Sequence, residues 1–121
     1  MTKKILIADD EEEIRKLIIA TLEDEDYEIH QAKGGSEAVN IANKIKPDLL
    51  ILDIMMPGKT GYEVCEALKQ NPETKDVYVL FLSARGSGVS KDTGKSRGGD
   101  AFMTKPFEPD DLLDKVKKVL G

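Results

Sequence analysis

The sequence predicts an α/β fold, a doubly wound five-stranded parallel sheet with helices on both faces. Two observations carry this. Short apolar runs alternate along the chain with stretches of helical periodicity, and the runs Leu49 to Leu52 and Val77 to Leu82 have no inside–outside alternation. An uninterrupted apolar strand is one buried on both faces, the habit of central strands in a parallel sheet covered by helices. Strands separated by single helices are then joined by right-handed crossovers.

Taken in order, Ile5 to Ala8 is a short apolar strand. Glu13 to Asp24 follows as a helix whose core face is Ile14, Leu17, Ile18 and Leu22. Tyr27 to Ala32 reads as a partly exposed second strand. Ala38, Ile41, Ala42 and Ile45 mark a second helical face, which Pro47 stops. Asp48 to Asp53 is the third strand, closed by the Pro57-Gly58 turn. Thr60-Gly61-Tyr62-Glu63 has the spacing of a capping box, and Val64, Cys65 and Leu68 supply the face of the helix behind it. Val77 to Leu82 and Ala101 to Thr104 are the fourth and fifth strands. Pro109 opens a last helix with Asp110 and Asp111 in its first turn, Lys115, Lys117 and Lys118 late, and Leu112, Val116, Val119 and Leu120 facing the core. Between those strands, Arg85 to Gly99 holds Gly86, Gly88, Gly94, Gly98 and Gly99 and one large apolar residue, Val89, so a fourth helix there is expected to be short, irregular or mobile.

At 121 residues the chain is expected to be one domain over 1–121, with no linker or repeat. Its net charge of -5 disfavours direct binding to nucleic acid or an anionic membrane and favours basic partners and divalent cations. The apolar amino terminus is cut short by Asp9-Asp10, no run approaches the ~20 apolar residues of a membrane span, and the single cysteine, Cys65, allows no intrachain disulfide. The expected location is the cytoplasm.

In a parallel sheet the strands end on one edge, where ligands bind in open α/β folds. There the sequence delivers Asp9 and Asp10, Asp53, Ser83, and Lys105-Pro106. Two carboxylates about 4 Å apart repel by roughly 4 kcal/mol at an effective dielectric of about 20, so such a set requires cations. Lys105 is one, and hard oxygen ligands with an open side suit Mg²⁺. Taken singly, each residue has a plainer reading. Asp9 and Asp10 precede a helix and could equally cap it. Asp53 could form the turn, Lys105 could be solvated, and Ser83 could bond to nearby backbone. Cys65 reads as an inert buried thiol and His30 as a surface residue. Convergence on one edge favours the metal reading.

Asp9-Asp10, Asp53 with Met55-Met56-Pro57-Gly58, Ser83-Ala84 and Lys105-Pro106-Phe107, in this order, resemble the receiver domain of two-component response regulators, such as a chemotaxis-type single-domain regulator. The resemblance spans the whole chain. It implies the flavodoxin-like strand order 2-1-3-4-5, which the chemotaxis member of this family is known to illustrate, and a regulatory domain with self-catalysed phosphotransfer and autodephosphorylation rather than an enzyme. It implies that Asp53 accepts a phosphoryl group from a sensor histidine kinase or phosphotransfer protein. Asp10, Asp53 and the Met55 carbonyl are the implied Mg²⁺ ligands, with Asp9 acting through water. Lys105, the Ser83 hydroxyl and the Ala84 amide are implied to hold the phosphoryl oxygens, and the Lys105–Pro106 peptide to be cis. Ser83 and Phe102, at a position where the family carries Tyr or Phe, form the implied switch that reshapes the helix 4, strand 5 and helix 5 surface toward an unidentified protein target. Met55 and Arg85 match positions that tune the lifetime of the phosphorylated state. The Gly-rich stretch from Arg85 departs from the family pattern, which weakens any expectation about that surface.

Three other functions compete. A flavin carrier of the same fold needs a Ser/Thr/Gly-rich phosphate cradle after strand one, where this chain has Asp9-Asp10-Glu11-Glu12-Glu13. An aspartate-nucleophile phosphatase needs an Asp-x-Asp pattern there. A receiver-like interaction module without phosphorylation would have no use for the intact site residues.

Overall fold

The computed structural model describes residues 2–84 and 98–121. Within them run β1 (Lys3–Ala8), α1 (Glu12–Leu22), β2 (Tyr27–Ala32), α2 (Gly35–Ile45), β3 (Leu49–Asp53), α3 (Gly61–Gln70), β4 (Tyr78–Ala84), β5 (Ala101–Lys105) and the last helix, here α4 (Pro109–Leu120). The sheet is wholly parallel, in the order β2-β1-β3-β4-β5. The fourth helix expected within 85–99 lies largely outside the described residues.

Strand periodicity divides the apolar side chains between two faces. Leu6, Leu50, Leu52, Val79 and Phe81 point to one side and pack with Ala38 and Ala42 of α2 and Val64, Cys65 and Leu68 of α3. Ile5, Ile7, Leu49, Ile51, Leu80 and Leu82 point to the other, against Ile18 and Leu22 of α1 and Leu112 and Val116 of α4. Every residue of β3 is buried, which is why its sequence shows no alternation.

Two expectations need correction. On α1, Ile14, Ile18 and Leu22 face the core as their spacing suggests, but Leu17 is 39% exposed and Arg15 is buried in line with Ile18 and Leu22. Positions 15, 18 and 22 lie on one stripe of the helix, and the arginine is tolerated there because its polar head finds acceptors. Secondly, β4 and β5 run further than their apolar runs, so that Ser83 and Lys105 sit in the strands rather than in loops. The ladder pairs Ser83 with Thr104 and Ala84 with Lys105, and backbone pairing is indifferent to the polarity of the side chain.

The capping box of α3 is present: the Glu63 N–H donates to Thr60 Oγ1 at 3.3 Å, and the Thr60 N–H donates to Glu63 Oε1 at 3.0 Å. It brings α3 in directly over the end of β3, where the Gly61 N–H donates to the Ile54 carbonyl at 2.9 Å. A Cβ on Gly61 would stand 2.5 Å from the Asp53 carbonyl oxygen and 2.8 Å from Ile54 Cα, both backbone atoms with no freedom to swing away. Gly61→Ala is therefore expected to cost about 1–3 kcal/mol, the range for overpacking a tight site. Urea denaturation measures this, and an unchanged midpoint would contradict the close approach.

Candidate metal and phosphoryl site

The carboxyl edge of the sheet gathers three carboxylates. Asp9 follows β1 directly, Asp10 comes next, and Asp53 is the last residue of β3, the strand beside β1. One oxygen from each lies within 4.8 Å of the others. Asp9 and Asp53 are buried and Asp10 is exposed, which leaves the cluster open on one side. From β5, Lys105 brings Nζ to 2.7 Å from Asp9 Oδ2, 3.4 Å from Asp53 Oδ1 and 3.6 Å from Glu11 Oε1. One ammonium thus answers a cluster that still carries an excess of negative charge.

Asp9 is neither simply a cap nor simply a free ligand. Its Oδ1 accepts the Glu11 N–H at 2.9 Å, while Glu11 is the N-cap position of α1. The side chain shapes the turn and keeps its second oxygen for Lys105. Asp53 Oδ1 in turn accepts the Met55 N–H at 3.3 Å.

Crowding and burial perturb the acids. Burial pushes the Asp53 carboxyl up to about 7, helped by the charge of Asp9 and opposed by Lys105. Burial also raises Asp9, against hydrogen bonds from Lys105 and the Glu11 N–H. For Lys105, burial disfavours the charged form, but the Asp9 hydrogen bond and the charges of Asp53, Asp9 and Glu11 outweigh it and its pKa rises. The set has the chemistry of a hard divalent-cation site: carboxylate oxygens only, more anionic charge than the lysine balances, and an open approach.

The remaining expected residues take distinct places. Ser83 is buried near the end of β4 and Ala84 ends that strand exposed. Met55 is 60% exposed beside the site. The Lys105–Pro106 peptide is cis. Phe102, opposite Phe81 in the ladder, is half-buried against the α2/α3 side of the core. Arg85 lies outside the described residues. His30 is half-buried on β2, with Nε2 2.8 Å from Glu28 Oε2 and no part in the site. Arg15 is the residue that sequence reasoning missed: it touches Asp9 from behind, and its only signal was its place on the stripe of Ile18 and Leu22.

Strand order and the position of this acidic edge define a flavodoxin-like regulatory domain. The chain belongs to the response regulator receiver domain family, whose model matches residues 5–117. It is similar to the phosphate regulon transcriptional regulatory protein PhoB of Pseudomonas aeruginosa, 40% identical over 98% of this chain and 52% of that protein, so it spans about half the length of that relative. A crystal structure of a putative response regulator from Chloroflexus aurantiacus matches with a TM-score of 0.92 at 35% identity, covering 99% of this chain and 98% of that one. The chemotaxis protein CheY4 of Vibrio cholerae matches with a TM-score of 0.89 at 34% identity, covering 98% and 99% respectively. Receiver domains are regulatory domains rather than enzymes of the usual kind; they typically bind Mg²⁺ at an acidic pocket and interact with histidine kinases. Among the described residues, no helix is long and apolar enough to cross a membrane.

Without metal, native Asp53 keeps its proton up to about pH 7, whereas the unfolded chain releases it near 3.8. Across that window the native state binds more protons, so the stability contributed at Asp53 falls as pH rises, by up to ~1.4 kcal/mol per pH unit. Asp53→Asn has no such proton to lose. In EDTA, its stability advantage over the wild type is expected to widen from pH 5 to pH 7 in urea denaturation. A gap that is constant with pH would contradict the raised carboxyl.

Proposed function

We propose that this domain accepts a phosphoryl group on the Asp53 carboxylate, from a histidine kinase or phosphotransfer protein, and switches a protein-binding surface in response. The observation that carries this reading is the pairing of a three-carboxylate cluster with Lys105 Nζ 3.4 Å from Asp53 Oδ1. An Asp53 oxygen attacks phosphorus in line, an O–P bond forms, and the P–N bond to the donor imidazole breaks. Asp10, Asp53 and the Met55 carbonyl are the proposed Mg²⁺ ligands, with Asp9 acting through water. Bound Mg²⁺ supplies positive charge to the phosphoryl oxygens and favours the ionised carboxylates.

The chain's own groups do the rest. Lys105 is held by Asp9, and so stands ready to pair with the charge that gathers on the phosphoryl group. The Ser83 hydroxyl and the Ala84 N–H donate to its other oxygens. As Ser83 is drawn toward the phosphoryl group, it vacates space for Phe102, which moves further into the core and reshapes the strand 5 and last-helix face. Phe102 has no hydroxyl, so it signals by packing alone. Exposed Met55 and, outside the described residues, Arg85 govern how long the phosphoryl group survives. The net charge of -5 supports a protein target rather than direct contact with nucleic acid or membrane, and the proposed setting is the cytoplasm, where histidine kinases present their phosphoryl groups.

Incubation with acetyl phosphate and Mg²⁺, followed by intact mass measurement, tests the reading. The protein is expected to gain one phosphoryl group, EDTA and Asp53→Asn to abolish it, and Lys105→Ala to slow it by about 100-fold, as for loss of a preorganised electrostatic partner. No gain in mass would favour the unphosphorylated interaction module, and a gain that survives Asp53→Asn would remove Asp53 as the acceptor.

A further inference from the structure

We infer that Arg15 is a positioning residue for the acidic site, acting on the Asp9–Asp10 peptide from beneath. Arg15 is only 5% exposed, yet among the described residues it forms no ion pair. Its guanidinium instead divides between two neutral acceptors: NH1 donates to the Asp9 carbonyl at 2.8 Å, and Nε donates to Gln31 Oε1 on β2 at 3.1 Å. A buried charge held this way costs desolvation that a methionine at the same place on the stripe would avoid, so packing does not account for it.

What the contact does is fix one peptide plane. The Asp9 carbonyl belongs to the peptide that links Asp9 to Asp10, and its orientation sets where Asp10 leaves the turn. The Asp9 N–H is bound to the Ala32 carbonyl at 3.2 Å, Oδ1 to the Glu11 N–H, and Oδ2 to Lys105. Arg15 engages the one remaining polar group, so all four have partners, two from α1 and its N-cap and one each from β2 and β5. Asp10 is exposed, its carboxyl meets Asp53 across the cluster, and its backbone starts from that peptide. The planar fork of arginine reaches Asp9 and Gln31 together; the single ammonium of lysine cannot reproduce both bonds.

This rests on the reading of the cluster as a Mg²⁺ site, and its test reads metal binding directly. Amide NMR shifts of the metal-free protein are followed during Mg²⁺ addition, at a temperature where circular dichroism shows each variant folded. Arg15→Lys is expected to raise the half-saturating Mg²⁺ concentration about tenfold, the lower end for loss of a group that orients a ligand. Gln31→Ala, at an exposed position, is expected to raise it less, in the same direction. Saturating Mg²⁺ is expected to restore the rate of labelling by acetyl phosphate in both. A purely structural role would lower the unfolding temperature and leave the Mg²⁺ affinity of the folded protein unchanged. Wild-type affinity in folded Arg15→Lys and Gln31→Ala overturns the inference, and if Arg15→Lys does not fold, Gln31→Ala decides alone. Wild-type protein that binds Mg²⁺ but takes no phosphoryl group would sink the receiver chemistry while leaving this comparison intact; no Mg²⁺ binding at all overturns both.

Discussion

Electrostatic repulsion among Asp9, Asp10 and Asp53 is the constraint around which the carboxyl edge is built. Lys105 is the structure's own answer to it, and the answer has to cross the sheet. Asp9 follows β1 and Lys105 ends β5, with β3 and β4 between them, three interstrand spacings or roughly 14 Å at the level of the ladder. The aliphatic stem carries the ammonium part of the way while staying packed, the Asp9 side chain reaches back to meet it, and the lysine is buried for most of its length. Closing β1 through β5 in one parallel sheet is therefore what gives the acids a counter-ion at all.

The same packing that builds the edge makes the acids hard to ionise. Strand β3 is buried on both faces, so Asp53 ends a strand with no exposed residue and carries little water with it. A carboxyl raised to about 7 with a single lysine nearby stands close to the point where a proton and a cation compete for the same oxygens. On the proposed chemistry, a divalent ion bound at those oxygens would displace the proton and leave Asp53 ionised for attack. Burial here is then a means of coupling metal binding to ionisation rather than a loss of stability to be tolerated.

Much of the fold is legible in the sequence because its central strands β3 and β4 are buried on both faces, so runs such as Leu49 to Leu52 carry the signal without help from neighbours. The capping box at Thr60 is a local motif, and local geometry realises it. Errors arise where side-chain polarity and backbone geometry part company. Ser83 and Lys105 look like loop residues, yet the ladder continues through them. On α1, apolar spacing admits both Leu17 and Ile18 to one face, and only tertiary contact decides between Leu17 and Arg15. No property of Arg15 alone points inward; what draws it there is the Asp9 carbonyl just after β1 and the Gln31 amide on β2. The choice between cap and ligand for Asp9 is likewise not a choice in the structure, since its two oxygens serve different partners.

The path outward from the site follows from strand register. Ser83 faces Thr104 and Phe81 faces Phe102 in the same parallel pair, so the residue proposed to sense the phosphoryl group and the aromatic proposed to report it lie two pairs apart on adjoining strands. Residues two apart on a strand share a face, which places Ser83 on the side of Phe81 and of the core cluster against which Phe102 rests. A hydroxyl that moves toward the edge then opens room on the side where a half-buried ring has somewhere to go. With no hydroxyl of its own to trade between partners, Phe102 can take part in the proposed switch only through packing, so volume released by Ser83 is the signal that the proposal requires.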